Sequence, residues 1–257
     1  MPGTATYVYC IVHAARAPRT LRVPAGLPGA TRPVAIPAAR SLWLIGAGIP
    51  LDIYGSGSLE PRLGDVNWVG TVAVAHDAVI EYFARQSAAT VVPMKLFTMF
   101  SSQQRAVDDV RSRRRAIQAI LKRIAGCEEW GVRMMRTAAA TVRTADSPEP
   151  TTGVAFLASK KAARDREREA LLTRSAAADR AFSELAAIAR DARRRDDAPG
   201  GAAPPLLDAA FLVPVAHRAR FKAAVKRLAA ETRKAGAGTT LTGPWPAYNF
   251  VQTDTAA

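Results

Sequence analysis

The chain has 257 residues, 36 of them basic and 22 acidic, for a net charge of +14 at pH 7, and 49% are hydrophobic. That length accommodates one large core or two ordinary ones, and the hydrophobic share argues against wholesale disorder. The cationic excess favours an acidic partner (nucleic acid, an anionic membrane surface or an acidic protein). Its two cysteines, Cys10 and Cys127, form no CxxC pair, which argues against a metal cluster or a disulfide scaffold.

Thr6–Val12 is rich in β-branched and aromatic residues and reads as a buried strand. Residues 16–40 carry Pro18, Pro24, Pro28, Pro33 and Pro37, which exclude a helix and leave room for short strands at Leu21–Val23, Val34–Ile36 and Ser41–Ile45. Gly55-Ser56-Gly57-Ser58 lacks the register of a phosphate loop and reads as a flexible turn. A helix starts after Gly64 with Asp65 as N-cap, and Val66, Val69, Val72, His76, Val79, Ile80 and Phe83 recur along it at helical spacing. Thr90–Val92 is strand-like and is stopped or edged by Pro93.

A second helix is expected over 103–125, with a stripe of Val107, Val110, Ile117, Leu121 and Ile124 and Gly126 as its stop. Glu129–Arg136 reads as a strand, and Ser147, Pro148 and Pro150 mark a loop. Phe156 and Leu157 lead into a long charged helix over about 158–195. Leu206–Val215 is a strand, His217–Lys234 an amphipathic helix on Phe221, Val225, Leu228 and Thr232, and Thr240–Val251 a closing strand or ordered tail. From Glu129 onward the order approaches the ferredoxin-like βαββαβ arrangement with one strand missing. The expected fold is therefore α+β in two domains, 1–126 and 127–257, the second a modified ferredoxin-like fold carrying the long helix.

Little in the chain speaks for catalysis. The three histidines, His13, His76 and His217, lie far apart and form no HExxH-like pair. His76 falls on an apolar stripe, where a buried, hydrogen-bonded imidazole is expected. There is no GxSxG elbow, no P-loop and no pairing of carboxylates, so neither a catalytic residue nor a cofactor or metal site is assigned. The runs Arg113-Arg114-Arg115 and Arg193-Arg194-Arg195 keep nucleic-acid binding as the alternative, although the stacking aromatics of a sheet-based RNA reader are missing.

Seven segments decide between these readings: Tyr7-Val8-Tyr9; Trp68 with Ala75-His76-Asp77-Ala78-Val79; Val92-Pro93-Met94-Lys95-Leu96-Phe97-Thr98-Met99-Phe100; Glu129-Trp130-Gly131-Val132-Arg133; Gly153-Val154-Ala155-Phe156-Leu157 with Lys160-Lys161; Ala210-Phe211-Leu212-Val213; and Leu241-Thr242-Gly243-Pro244-Trp245-Pro246-Ala247-Tyr248-Asn249-Phe250. In this order they resemble the gas vesicle GvpL/GvpF family over nearly the whole chain. Many relatives read L-P-L-R-F-G-T at the Pro93 segment; Lys95 and Phe97 stand here in place of the arginine and glycine, which suggests a distinct subgroup.

The resemblance implies an accessory or minor structural protein of the gas vesicle in the cytoplasm, without enzymatic activity. Its implied partners are the small hydrophobic major shell protein and other accessory proteins. The motif positions Trp68, His76, Pro93, Lys95, Trp130, Gly243, Pro244, Trp245, Pro246 and Tyr248 are expected to be structural. Pro244 and Pro246 cannot donate to a ladder, so the tail is not a regular central strand. Trp245, Tyr248 and Phe250 are expected to pin the chain end onto the second domain. The charge-rich helix or an edge of the second sheet is the expected docking surface.

Overall fold

The computed structural model describes residues 3–86, 89–137, 153–195 and 204–251. The expected loop around Pro148 and Pro150 lies outside the described residues. The chain forms two compact units. One comprises the residues up to Glu128 together with the chain from Trp245 onward; the other is Glu129–Pro244.

In the first unit β1 (Thr4–His13) is the central strand, paired antiparallel with β3 (Leu42–Pro50) on one side and with β4 (Thr90–Pro93) and β5 (Met99–Phe100) on the other. β2 (Val34–Ala39) pairs antiparallel with β3 and forms an edge, where Pro37 is tolerated because an edge strand can spare a donor. Tyr7 to Val12 are all buried. Side chains alternate across a sheet, so an unbroken buried run needs a layer on each face. Helix α3 (Val66–Ala84) supplies one, through Val72, His76, Val79, Ile80 and Phe83. Helices α4 (Gln103–Ser112) and α5 (Arg114–Ile124) pack against β1, β2 and β4 with Val107, Val110, Ile117, Leu121 and Ile124 buried. A bulge between Val8 and Cys10 shifts the alternation, and Tyr9 and Cys10 join the same cluster.

Residues 103–125 are two helices broken at Arg113, whose backbone leaves the helical region while its N–H still bonds the Asp109 carbonyl. Gly55-Ser56-Gly57-Ser58 is not a turn: Gly55 stands at the N-cap of α2 (Ser56–Arg62), which follows α1 (Leu51–Tyr54). Leu21–Val23 is loop, with Leu21 exposed and Val23 alone inserted into the core. Asp65 does cap α3, accepting from the N–H groups of Asn67 and Trp68 at 3.0 and 3.1 Å.

The second unit has a four-stranded sheet ordered β7-β8-β6-β9, from β6 (Cys127–Arg136), β7 (Asp191–Arg194), β8 (Leu207–Pro214) and β9 (Ala237–Trp245). Helix α6 (Gly153–Ala186) connects β6 to β7, and α7 (Arg218–Lys234) connects β8 to β9. Their Ala178, Ala181, Leu185, Phe221, Val225 and Leu228 form one core with Trp130, Val132, Met134, Phe211 and Val213. The long helix therefore ends well before Arg195. The Asp191–Arg194 segment is a strand at the sheet edge, antiparallel to β8 through pairs such as Ala192 with Phe211. Its arginines hid it, because an edge strand needs backbone pairing but no apolar alternation.

Candidate functional site

The positions singled out in the sequence fall into two groups. In the first unit, Tyr7, Tyr9, Tyr54, Trp68, His76 and Phe97 form one aromatic cluster. Trp68 stacks on Phe97 at 6.0 Å between centroids with 7° between planes, Tyr9 stacks on His76 at 5.7 Å, and the Arg62 guanidinium lies 5.4 Å over Trp68. Pro93 is buried and Lys95 exposed. The cluster is bound by hydrogen bonds of settled direction. His76 Nε2 lies 3.2 Å from the Met94 carbonyl, which can only accept, so Nε2 carries the proton. Nδ1 then accepts from the Tyr7 hydroxyl at 2.8 Å, and that hydroxyl accepts from the N–H of Phe97 at 3.3 Å.

Burial pushes the acidities of this cluster away from function at neutral pH. It lowers His76 from its ordinary value and raises Tyr7, and it pushes Tyr9 up to about 12. Cys10, fully enclosed, is raised by the same loss of hydration and is not a nucleophile. The three histidines are not brought together: His13 ends β1, His76 sits in α3, and His217 Nδ1 donates to the Ile188 carbonyl in the second unit at 3.1 Å. Among the described residues no three His, Cys, Asp or Glu side chains form a group able to hold a metal ion.

Tyr248 completes the first cluster. Its hydroxyl donates to Asp77 Oδ1, and Phe250, fully buried, accepts at its carbonyl from Arg123 Nη2. The tail is thus clamped onto the first unit, not onto the second as expected. The reason is that its partners, Asp77 and Arg123, are carried by α3 and α5. Trp245 takes little part, with 42% of its surface exposed.

The second group is Trp130, Gly243 and Pro244. Trp130 is buried against Phe221, with Lys222 over its ring at 5.8 Å. Gly243 has φ +113, and a β-carbon there would lie 2.8 Å from the Glu129 carbonyl and 3.3 Å from the Trp130 ring. Glycine is required on both counts. Pro244 lies in the edge strand β9, where a missing donor costs nothing.

Neither group presents a reactive arrangement to solvent; the exposed feature is the first half of α6. From Val154 to Glu169 every side chain described is exposed, whereas Ala178, Ala181 and Leu185 further along are buried. This half is dense in charge, from Lys160 to Glu169, yet begins with three exposed large apolar residues, Val154, Phe156 and Leu157. Lys160 lies 5.8 Å over the Phe156 ring. From sequence, Phe156 and Leu157 mark the entrance to this helix and belong to a family-resembling segment, but nothing local shows that they are exposed.

The comparisons with known proteins bear on what these features serve. The family model described as "Gas vesicle synthesis protein GvpL/GvpF" matches residues 5–252. The chain belongs to the GvpL/GvpF family. It is 30% identical over 214 residues to gas vesicle protein L of Streptomyces sp. (strain CB03234), covering 79% of this chain and 77% of that protein. Its fold is similar to that of the gas vesicle protein GvpF from Anabaena sp. PCC7120, with a TM-score of 0.70 at 14% identity over 98% of this chain and all of the other. GvpF from Microcystis aeruginosa gives a TM-score of 0.60 at 10% identity over 97% and 99% of the two chains. As a member of this family the chain is a gas vesicle protein, with mixed α and β structure. Among the described residues no helix is long and apolar enough to cross a membrane.

Proposed function

We propose that this protein is an accessory or minor structural component of gas vesicle assembly that binds the hydrophobic major shell protein and other accessory proteins, with no catalytic step of its own. The observation that carries the reading is the exposed half of α6. Its apolar start, Val154, Phe156 and Leu157, offers surface to an apolar partner. The charged turns that follow keep the protein, and a complex with it, in solution. At 1.5 Å per residue, the 34 residues of α6 extend roughly 50 Å, enough for one end to pack on the sheet while the other engages a partner. We take the motif residues Trp68, His76, Pro93, Trp130, Gly243, Pro244 and Tyr248 as the frame that holds the two units in shape, and the units as two domains.

The second domain is read as ferredoxin-like. Its chain order, strand-helix-strand-strand-helix-strand, and its sheet order, with the first and third strands adjacent at the centre, both support this. The strand missing from the sequence reading is β7.

The test is a Phe156→Asp/Leu157→Asp protein with an unchanged circular dichroism spectrum, assayed for co-purification with the major shell protein at high salt. Burying each side chain contributes about 1.5–3 kcal/mol, so binding weakens at least about tenfold. Undiminished capture sinks the assignment of the surface. Wild-type capture that disappears at high salt would instead favour electrostatic attraction to a polyanion.

A further inference from the structure

At the end of β1, on the first unit, a cleft of about 250 Å³ is lined by groups from four different elements. His13 lines it and lies directly across the sheet from Leu42 on one side and from Thr90 on the other. Arg40 comes from the two-residue connection between β2 and β3, whose second residue, Ser41, has φ 60 and accepts at its carbonyl from the Ala14 N–H. Gln118 and Lys122 reach the cleft from one face of α5, and Leu121 and Ala125 supply apolar wall.

The chemistry of this lining is one-sided. Arg40, Lys122 and the imidazole of His13 converge on it with the hydroxyl of Thr90 and the amide of Gln118, and no carboxylate is present. Other cations of this unit are held by partners, as Arg85 is by Glu81, Arg113 by Asp109, and Arg111 by Asp108 and the Ala38 carbonyl. Among the described residues, by contrast, the side chains of His13, Arg40 and Lys122 make no ion pair or hydrogen bond. Lys122 lies in the last turn of α5, where a cation complements the helix dipole. That accounts for one of the three; Arg40 and His13 are brought there by the sheet.

We infer that this cleft is a binding site for a phosphate group, as the free ion or as a small phosphomonoester. A guanidinium, an ammonium, an imidazole, a hydroxyl and an amide together match the several acceptor oxygens of a compact oxyanion. The volume lies below the range of about 300–1,000 Å³ that holds drug-sized ligands and fits a phosphate with a short substituent. The cleft belongs to the first unit and α6 to the second, and the inference does not rest on the shell-protein reading.

The experiment is a heteronuclear NMR titration of the full-length protein at fixed pH and ionic strength, following the His13 ring and the Thr90 amide. Inorganic phosphate and phenyl phosphate are the probes, and chloride is the control. Saturable shifts confined to His13, Thr90, Gln118 and their neighbours are expected. They should weaken at least about tenfold in Arg40→Gln/Lys122→Gln and persist in Arg115→Gln, an exposed α5 variant outside the cleft. Equal affinity for both probes assigns the free ion; a much tighter phenyl phosphate assigns an ester. Both variants replace exposed side chains, and unshifted Tyr9 and Val12 signals verify their fold. The proposal is overturned if neither probe produces saturable shifts, if chloride matches them, or if the double variant responds as the wild type does.

Discussion

Tyr7 Oη and His76 Nδ1, 69 positions apart in the chain, meet at 2.8 Å inside the first unit, and the Met94 carbonyl on the far side of the imidazole fixes which of them donates. The Tyr7 hydroxyl thereby serves two backbone-anchored groups at once, giving its proton to His76 and accepting that of the Phe97 N–H. Tyr7→Phe keeps the ring and removes this relay, leaving a buried imidazole nitrogen without a donor. The expected loss is about 1–3 kcal/mol, read as a lower urea midpoint at unchanged m-value. A Tyr7→Phe protein as stable as wild type would show that the relay adds nothing beyond packing.

The same imidazole gives the protein a pH dependence of defined sign. Burial, the dominant cause, lowers His76 below its ordinary value of 6.5. The unfolded chain therefore binds this proton more readily than the folded one. The contribution of His76 to stability is fully present above 6.5, declines as the pH falls from 6.5 toward the lowered folded value, and levels off below it. Urea denaturation of wild type and His76→Gln across this window should show the stability difference between them shrinking as the pH falls. A difference that stays constant, or grows on acidification, contradicts a neutral buried imidazole.

Phe97 sits at φ +62, in the left-handed region that favours glycine. A left-handed backbone costs an ordinary residue about 1–2 kcal/mol, which Phe97→Gly would recover. The same change deletes a ring stacked on Trp68, a pair worth about 0.5–1.5 kcal/mol beyond its area, and a half-buried side chain that contributes a share of the about 1.5–3 kcal/mol for full burial. The packing loss outweighs the backbone gain. Phe97→Gly should thus be less stable than wild type by about 1 kcal/mol in the same denaturation assay. A more stable variant would mean that the backbone cost dominates.

These residues also show what was legible in advance. Asp65 as the cap of α3, and the buried stripe through Val72, His76, Val79, Ile80 and Phe83, could be read directly because capping and helical periodicity are local, although Val66, placed on the same stripe, is exposed in the first turn. The burial of His76 followed from its place on that stripe. Its partners did not: Tyr7, Met94 and Phe97 come from other elements, and nothing local encodes their meeting. The break at Arg113 escaped notice because arginine is a good helix former. β7 was read as helix because Asp191-Ala192-Arg193-Arg194 has a helix-like composition, and backbone pairing with β8 outweighs so weak a preference. The aromatic tail showed that the chain end is anchored. Which surface anchors it depends on Asp77 and Arg123, and spacing within the tail carries no information about them.

That anchoring separates two tail residues that look equivalent in sequence. Tyr248 donates to the Asp77 carboxylate and is packed against the aromatic core, whereas Trp245 is 42% exposed. Tyr248→Phe removes a hydrogen bond to a charged acceptor, a bond worth about 1.5–3 kcal/mol. Trp245→Ala should cost under about 1 kcal/mol. Thermal unfolding of the two variants checks the order; if Trp245→Ala is the more damaging, the tail is held by a different residue from the one identified.

Asp208 on β8 holds the edge strand in place. It accepts from Arg195 Nε at 2.8 Å at the end of β7, and the Arg133 Nη2 of β6 lies 3.1 Å from its other oxygen. The carboxylate is only 10% exposed, while both arginines reach solvent. Screening therefore reduces each pair below the value of a buried one. Asp208→Asn keeps the size of the side chain and removes the charge both arginines require. Its global cost should be only about 1 kcal/mol, but its effect should concentrate at the edge. The Arg190 and Arg195 amides, which bond to the carbonyls of Leu212 and Asp208, report on that edge directly. Their hydrogen exchange should accelerate by about tenfold or more through local opening, with the amides of β8 itself little changed. If these two amides flanking β7 keep their protection in Asp208→Asn, backbone pairing alone holds this strand, and its helix-like sequence needs no side-chain anchor to form it.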